Sequence, residues 1–401
     1  MKLLIVWFLL TDEWLHASML IRDLETIADK GHDVTCIFPA TKNALHVDHK
    51  NLKIHVVRIG RYLPIVSYLR FCLAAVPRLI KDHQDSDVVV LGVDVVPLLL
   101  PLLCLWRRVG QRHRSAFAVR ETSPPAEIRS THMYYLPVFR YLSLAISHLS
   151  DMVFVISPMR ANEIVAKFRI PSHQVRVWPS SVDTGLFNPR LYVSDRERIR
   201  KELGVQNSLL LIYHGDLSHE RGLYELVEAI RIVREEREDV ALLLLGKGQA
   251  KQRLQALARS SRMDDAIIFH GSVAHVEVPK FIAAADAGVV PLPDQRQWRQ
   301  QVPIKLLEYL AMGKPVIVTD IPGHRWIVGD ERFAFFCNRG RPAEIAEAIH
   351  KYLRAERISR ESGTQETRRE EITARFSPDA IADGLLHLFA ERTSHGSDEA
   401  G

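Results

Sequence analysis

Lys305 and Glu308 stand three residues apart in VPIKLLEYLAMGKPVIVTDIPG, Val302 to Gly323, a stretch that is otherwise mostly apolar. Leu306, Leu307, Leu310 and Ala311 recur at helical spacing and predict a helix with one buried face. Pro303 suits the first turn, where a missing N–H costs nothing. Gly313 and Pro315 stop the helix, and VIVT follows as a short buried strand. The helix start therefore falls near Pro303 to Lys305. Helix starts bind anions, so a phosphate there would meet the amides of Ile304 and Lys305 and the Lys305 ammonium. The plainer reading is a surface Lys/Glu pair on an amphipathic helix, and the stretch alone leaves both open.

A second group of residues closes strand-like runs. In YHGDLSHERGLYELVEAI, Gly215 permits a tight turn or a close ligand approach. Arg221 then opens a helix at Gly222, where a guanidinium beside free amides suits a phosphate, although a solvated surface arginine reads as well. LLLLGKGQ holds a GxG around Lys247 but lacks a third glycine, so it reads as a strand-to-helix turn rather than a dinucleotide fingerprint. Gly271 closes IIFHG, and Arg120 closes AFAVR. There is no GxxxxGK[ST] loop and no GxSxG elbow, which removes the common phosphotransferases and serine hydrolases. No acidic DxD-type pair stands at a strand end, so no metal is expected; basic residues and helix amides can neutralise a diphosphate instead.

The elements that must position these residues follow from hydrophobic patterning. In the first half the strand-like runs are KLLIVWFLL, DVTCIFP, KIHVVRI, DVVVLGV, AFAVRE, MVFVISP and QVRVWP. In the second half they are LLLIYHGD, VALLLLGKG, AIIFHGS, AGVVPLP, PVIVTD and FAFFC. Short, continuous apolar strands alternating with helices imply parallel sheets covered on both faces. Two series in 401 residues imply two doubly wound α/β domains, with the break in PSSVDTGLFNP. The expected division is 1–188, 189–375, and a terminal helix with a flexible tail over 376–401. Two such domains facing across a cleft would present their strand ends to a ligand.

Composition narrows the class. Hydrophobic content of 47% and charged content of 25% are ordinary for a globular protein. Four scattered cysteines and no CxxC pair fit a reducing compartment. The 18 histidines form no tight ligand motif. The opening MKLLIVWFLLTDEW has an apolar run too short for a leader and reads as a first strand. Val88 to Trp106, interrupted by Asp94, Pro97 and Pro101, reads as a strand and an apolar helix rather than a membrane span. From Asn51 to Arg120, eleven basic residues face four acidic ones, while the whole chain is only +5. RYLPIVSYLRFCLAAVPRLIK within it carries Arg61, Arg70, Arg78 and Lys81 and no acid, which suits either an anionic membrane surface or a core helix with one solvated face. No RNA-binding aromatic motif or helix-turn-helix is evident, so no nucleic-acid partner is expected.

Taken together, YHGDLSHERGL, VALLLLGKGQ, IIFHGSVAHVEVPKFIAAADAGVVPL and VPIKLLEYLAMGKPVIVT resemble the retaining glycosyltransferases of family 4, which have the two-domain GT-B fold. GHDVTCIFP, SDMVFVISPMRANEI and RVWPSSVDTGLFNP resemble that family's second strand, last N-domain strand and helix, and interdomain linker. The resemblance covers most of the chain in order. It implies a donor-binding C-domain, an acceptor-binding N-domain and a C-terminal helix returning to the N-domain.

The resemblance also implies roles for residues. Glu308 matches the glutamate that accepts hydrogen bonds from the donor ribose. Arg221 matches the basic residue that holds the donor diphosphate, and Ile304 and Lys305 lie at the helix start that meets it. Gln300 stands where many members carry a glutamate near the donor sugar. Asp216 stands where a second basic residue is common, which leaves Lys247 or Lys305 to supply that cation. LLTDEW departs from the paired glycines usual after the first strand. The implied donor set is Gly215, Arg221, Lys247, Gly271, Ile304, Lys305 and Glu308. Arg221, Lys305 and Gln300 are nearest the chemistry, and Arg120 is on the acceptor side. The implied activity moves a sugar from a nucleoside-diphosphate sugar to a glycan or lipid-linked acceptor, as in polysaccharide biosynthesis. It needs no cofactor, and the place is cytoplasmic or peripheral at the inner face of the cell membrane. A non-catalytic sugar-nucleotide-binding protein and a GT-B sugar-nucleotide epimerase are the alternatives.

Overall fold

Each apolar run becomes a strand, seven in one sheet and six in another, in a computed structural model that describes residues 1–8, 15–40, 47–59, 64–109, 115–121, 136–329, 334–358 and 364–398. The first sheet contains β1 (Lys2–Val6), β2 (Asp33–Ala40), β3 (Leu52–Arg58), β4 (Val88–Gly92), β5 (Ala116–Arg120), β6 (Met152–Val155) and β7 (Val175–Val177), in the order β3-β2-β1-β4-β5-β6-β7. The second contains β8 (Leu209–His214), β9 (Val240–Leu245), β10 (Ile267–Gly271), β11 (Ala287–Val290), β12 (Val316–Thr319) and β13 (Ala334–Cys337), in the order β10-β9-β8-β11-β12-β13. Every strand pair is parallel. Strands buried on both faces cannot alternate apolar with polar, which is why β4 reads VVVLG and β9 VALLLL, buried throughout.

The chain divides into two compact units, one of Met1–Ser180 with Pro378–Gly401, the other of Ser181–Ser377. Both sheets reverse direction of winding beside their first strand, between β1 and β4 and between β8 and β11. The carboxyl ends of those strands are where such sheets bind ligands. In the first unit Leu3, Ile5, Trp7, Val90, Phe154 and Trp178 pack with Ile381, Ala382, Leu385 and Phe389 of the last helix, Pro378–Asp398. Phe389 meets Phe154 edge-on at 5.7 Å, and Lys30 Nζ reaches Asp383 at 2.8 Å. The final helix thus belongs to the first unit, and it stays helical to Asp398 across the stretch expected to fray. At the boundary, Val182 N–H donates to Phe376 O at 2.8 Å.

Val88 to Trp106 resolves into β4 and the helix Val96–Val109, and no described helix is long and apolar enough to cross a membrane. All four cysteines are free. Leu9 to Trp14, Arg61, Arg112 and Arg114 lie outside the described residues.

Candidate functional site

The helix predicted from the Lys305/Glu308 stretch spans Ile304–Ala311, with Pro303 as its N-cap rather than its first residue. Gly313, at φ +68°, donates to Leu310 O, and Lys314 N–H donates to Tyr309 O, both at 2.9 Å, so the stop forms as the sequence predicts. Tyr309 anchors the helix to the sheet. Its hydroxyl donates to Ile212 O at 3.2 Å and accepts from His214 N–H at 3.1 Å. Its ring fills the place a Cβ on Gly288 would take, 2.3 Å away, so β11 needs glycine there. The helix start is thereby fixed beside the end of β8, and its first amides have no intrahelical acceptor.

Gly215 follows β8 with φ +115°, and the space of its missing side chain is used by Lys305. A Cβ on Gly215 would lie 3.0 Å from Lys305 Nζ, which also sits 3.7 Å from the centre of the Tyr213 ring. The GKG turn packs on this loop by backbone alone. A Cβ on Gly246 would fall 1.9 Å from Gly215 O and one on Gly248 2.5 Å from Leu217 O, while Leu217 N–H donates to Lys247 O at 2.8 Å. These glycines serve loop packing, and the Lys247 side chain is exposed. Asp216 accepts from the Tyr213 hydroxyl through its carbonyl at 2.8 Å, while its own Oδ2 is buried without a hydrogen bond.

Arg221 ends a short turn, His219–Arg221, and the helix proper starts one residue later than predicted, at Leu223. Its guanidinium stacks on Trp298 at 4.8 Å from the ring centre. Trp298 is buried in the short helix Arg296–Arg299, whose C-cap is Gln300. Gly222, at φ +72°, has no room for a Cβ, which would fall 1.9 Å from Pro291 O at the end of β11. Arg221, Trp298 and Gln300 are thus held beside the β8–β11 switch.

Glu308 is 1% exposed, and two imidazoles bracket its carboxylate. His275 Nε2 lies 2.6 Å from Oε1 and His214 Nε2 3.0 Å from Oε2. Burial alone would raise the carboxyl, but the histidines override it and hold it at about 2, so Glu308 is ionised at neutral pH. Burial pushes His214 down, toward a neutral ring. Phe187 packs on His275, ring centres 5.3 Å apart, and Tyr309 meets His214 edge-on at 5.1 Å.

The structure therefore brings Gly215, Lys305 and Glu308 to the end of β8, with Arg221 and Gln300 beside the switch. Gly271 closes the edge strand β10 at φ +91°, with nothing within 4 Å of a Cβ, and Arg120 belongs to the other unit. Among the described residues no cluster of His, Cys, Asp or Glu could hold a metal ion. Sequence reasoning missed His214, His275 and Trp298. A histidine closing an apolar strand was a signal for His214, whereas the spacing of His275 and Trp298 carried none.

The family described as "Glycosyl transferases group 1" matches residues 195–370, and that described as "Glycosyltransferase Family 4" matches residues 20–186. The chain is 24% identical over 214 residues to an uncharacterized glycosyltransferase of Methanocaldococcus jannaschii, covering 53% of each, so it spans about half the length of that relative. It is 26% identical over 317 residues to a GDP-mannose-dependent alpha-(1-6)-phosphatidylinositol monomannoside mannosyltransferase of Mycobacterium tuberculosis, covering 77% of this chain and 76% of that one. Its fold matches that of Anabaena HepE, solved in complex with UDP, with a TM-score of 0.71 at 15% identity over 98% of this chain and 100% of that one.

Proposed function

The chain belongs to glycosyltransferase family 4, with the GT-B fold, and from that premise we propose that it moves a sugar from a nucleoside-diphosphate sugar to a glycan or lipid-linked acceptor, with retention of configuration. The observation that carries this reading is one helix presenting both ends of a nucleotide site. Lys305 and the first amides face the Gly215 turn, and one turn later Glu308 offers an ionised carboxylate. The diphosphate meets the Lys305 ammonium, the Arg221 guanidinium and the amides of Ile304 and Lys305. These charges are in place before the reaction and stabilise the negative charge of the leaving nucleoside diphosphate. Glu308 accepts hydrogen bonds from the ribose hydroxyls, and Gln300 meets the donor sugar. Lys305, rather than the exposed Lys247, supplies the second cation opposite Asp216.

Acceptor binding falls to the first unit, with Arg120 at the carboxyl end of β5. The helix Pro64–His83 supports a membrane-bound acceptor, because Val66, Leu69 and Leu73 are 44%, 41% and 71% exposed beside Arg70 and Lys81. Arg78 is engaged elsewhere, with Asp82 at 2.7 Å and His55 at 2.6 Å. The relative named above uses GDP-mannose and a phosphatidylinositol mannoside, which supports a nucleotide-sugar donor and a lipid acceptor here.

The test is calorimetry with a panel of nucleoside diphosphates, followed by turnover with the matching sugars. Arg221→Ala should weaken nucleoside-diphosphate binding roughly tenfold or more with the fold intact. Near-wild-type affinity would reject the site, binding with no transfer would make the protein a binder, and an isomerised sugar nucleotide would make it an epimerase. Turnover should survive exhaustive chelation, and loss restored by magnesium or manganese contradicts the metal-free mechanism. Binding to anionic vesicles should fall with salt and in Leu73→Ser and Arg70→Glu; protein that stays in the supernatant at low salt has a soluble acceptor.

A further inference from the structure

Arg120 closes β5 in the first unit and is 6% exposed. Its guanidinium carbon lies 3.6 Å from the centre of the Trp178 ring and 5.1 Å from that of Trp7. Trp7 lies flat against the end of β4, where a Cβ on Gly92 would fall 2.3 Å from the indole, and Gly92 is the register partner of Arg120. The guanidinium is therefore held beside the β1–β4 switch, at the carboxyl edge where doubly wound sheets take their ligands.

Two of its three nitrogens have no hydrogen-bond partner. Nε and Nη1 of Arg120 are buried without an acceptor, and so is Nε1 of Trp178. Burial pushes the guanidinium down to about 9, with only the field of Asp23 opposing it. The neighbouring acid, Glu121, is committed to Arg160, 2.9 Å away. Stacking on two rings recovers less than the desolvation of an unpaired cation costs. What remains is two guanidinium nitrogens and one indole N–H without an acceptor.

We propose that Arg120, stacked between Trp7 and Trp178, is the seat of an oxyanion carried by the acceptor, a phosphate or a carboxylate. A guanidinium binds either group through two parallel hydrogen bonds, which a lysine cannot do. The Trp178 indole N–H supplies a further donor. The proposal rests on the first unit being the acceptor-binding half, and it makes the acceptor an anionic molecule rather than a neutral sugar.

The six tryptophans make the test local to each unit. The whole protein is labelled with 5-fluorotryptophan, and its fluorine resonances are assigned with single Trp→Phe variants. Inorganic phosphate and glucuronate are then titrated separately, in the wild type and in Arg221→Ala. Saturable shifts at Trp7 and Trp178 in both proteins support the site, and the probe that produces them tells phosphate from carboxylate. Arg120→Met should weaken that response roughly tenfold or more. Arg120→Lys keeps the charge and should bind less tightly with an unchanged melting temperature, which covers the case that Arg120→Met fails to fold. Silence of Trp7 and Trp178 toward both probes, or an undiminished response in Arg120→Lys and Arg120→Met, overturns the proposal. Nucleoside diphosphate should instead shift Trp298, which stacks on Arg221. Failure of that response strikes the donor reading and leaves the oxyanion site standing.

Discussion

A charged side chain is buried at the carboxyl end of each sheet, Arg120 in the first unit and Glu308 in the second, and the two are accommodated in opposite ways. Glu308 has an imidazole on each carboxylate oxygen, whereas Arg120 has two indoles against it and no acceptor on Nε or Nη1. An ionised group in a protein interior must be paired or pushed toward neutrality. Glu308 follows the first course and is ionised at all ordinary pH values. Arg120 follows the second part of the way. The difference teaches that the Glu308 carboxylate is completed by groups of its own unit, while the Arg120 guanidinium leaves two donors open at the carboxyl end of its sheet.

The hardest blow to this comparison is Glu308→Ala. It strips the buried His214 and the half-buried His275 of their shared acceptor, and the loss of stability should be about 3 kcal/mol. Urea denaturation measures it, and a cost near zero would mean that the imidazoles do not depend on the carboxylate. Glu308→Gln keeps the shape and one acceptor oxygen and should cost less.

Titration should then separate the units by pH window. Glu308 is depressed from 4.5 to about 2, so its contribution is complete above the unfolded value and is lost as pH falls through that range. His214 is lowered from 6.5, so the unfolded chain takes up a proton before the folded one, and stability falls in the same direction. Acid below about pH 6.5 should therefore weaken the second unit. Arg120 acts with the same sign in a higher window, because above about 9 the unfolded chain still holds a proton that the folded one has released, so stability rises with pH there too. The melting difference between wild type and Arg120→Met, followed from pH 8 to 10.5, should shift in favour of the wild type. A difference independent of pH would show that burial does not perturb this guanidinium.

The smallest expected effect sharpens the donor side. Gly215→Ala places a Cβ 3.0 Å from Lys305 Nζ on a backbone at φ +115°. It should cost about 1–2 kcal/mol of stability. It should also weaken nucleoside-diphosphate binding several-fold by moving the ammonium, and unchanged calorimetric affinity would detach Lys305 from the site.

The strands were legible because parallel sheets force continuous apolar runs, and β4 and β9 could be read almost letter by letter. Lys305 and Glu308 were legible because charge is conspicuous in an apolar helix. Their surroundings were not. His275 lies 33 residues from Glu308, and Trp298 lies 77 from Arg221, so neither pairing has a local period. Gly246 and Gly248 read as a strand-to-helix turn, and only the fold shows that their Cβ positions are filled by a neighbouring backbone. The Trp7–Arg120–Trp178 stack gathers three distant parts of the chain that share nothing until the sheet forms.

The return of the last helix to the first unit sets an order of events during synthesis. The second unit, Ser181–Ser377, is a complete segment whose two ends are tied by the Val182–Phe376 hydrogen bond. It can fold as soon as it emerges from the ribosome. The first unit is begun earlier and finished later, since Leu3, Phe154 and Trp178 stay without Ile381, Leu385 and Phe389 until the helix Pro378–Asp398 has been made. For that interval the older half of the protein shows an apolar face to the cell while the younger half is already closed. Aggregation of the nascent chain and attack by proteases should therefore concentrate on the N-terminal sheet, and a chain stopped after Ser377 should be insoluble although its second unit is intact.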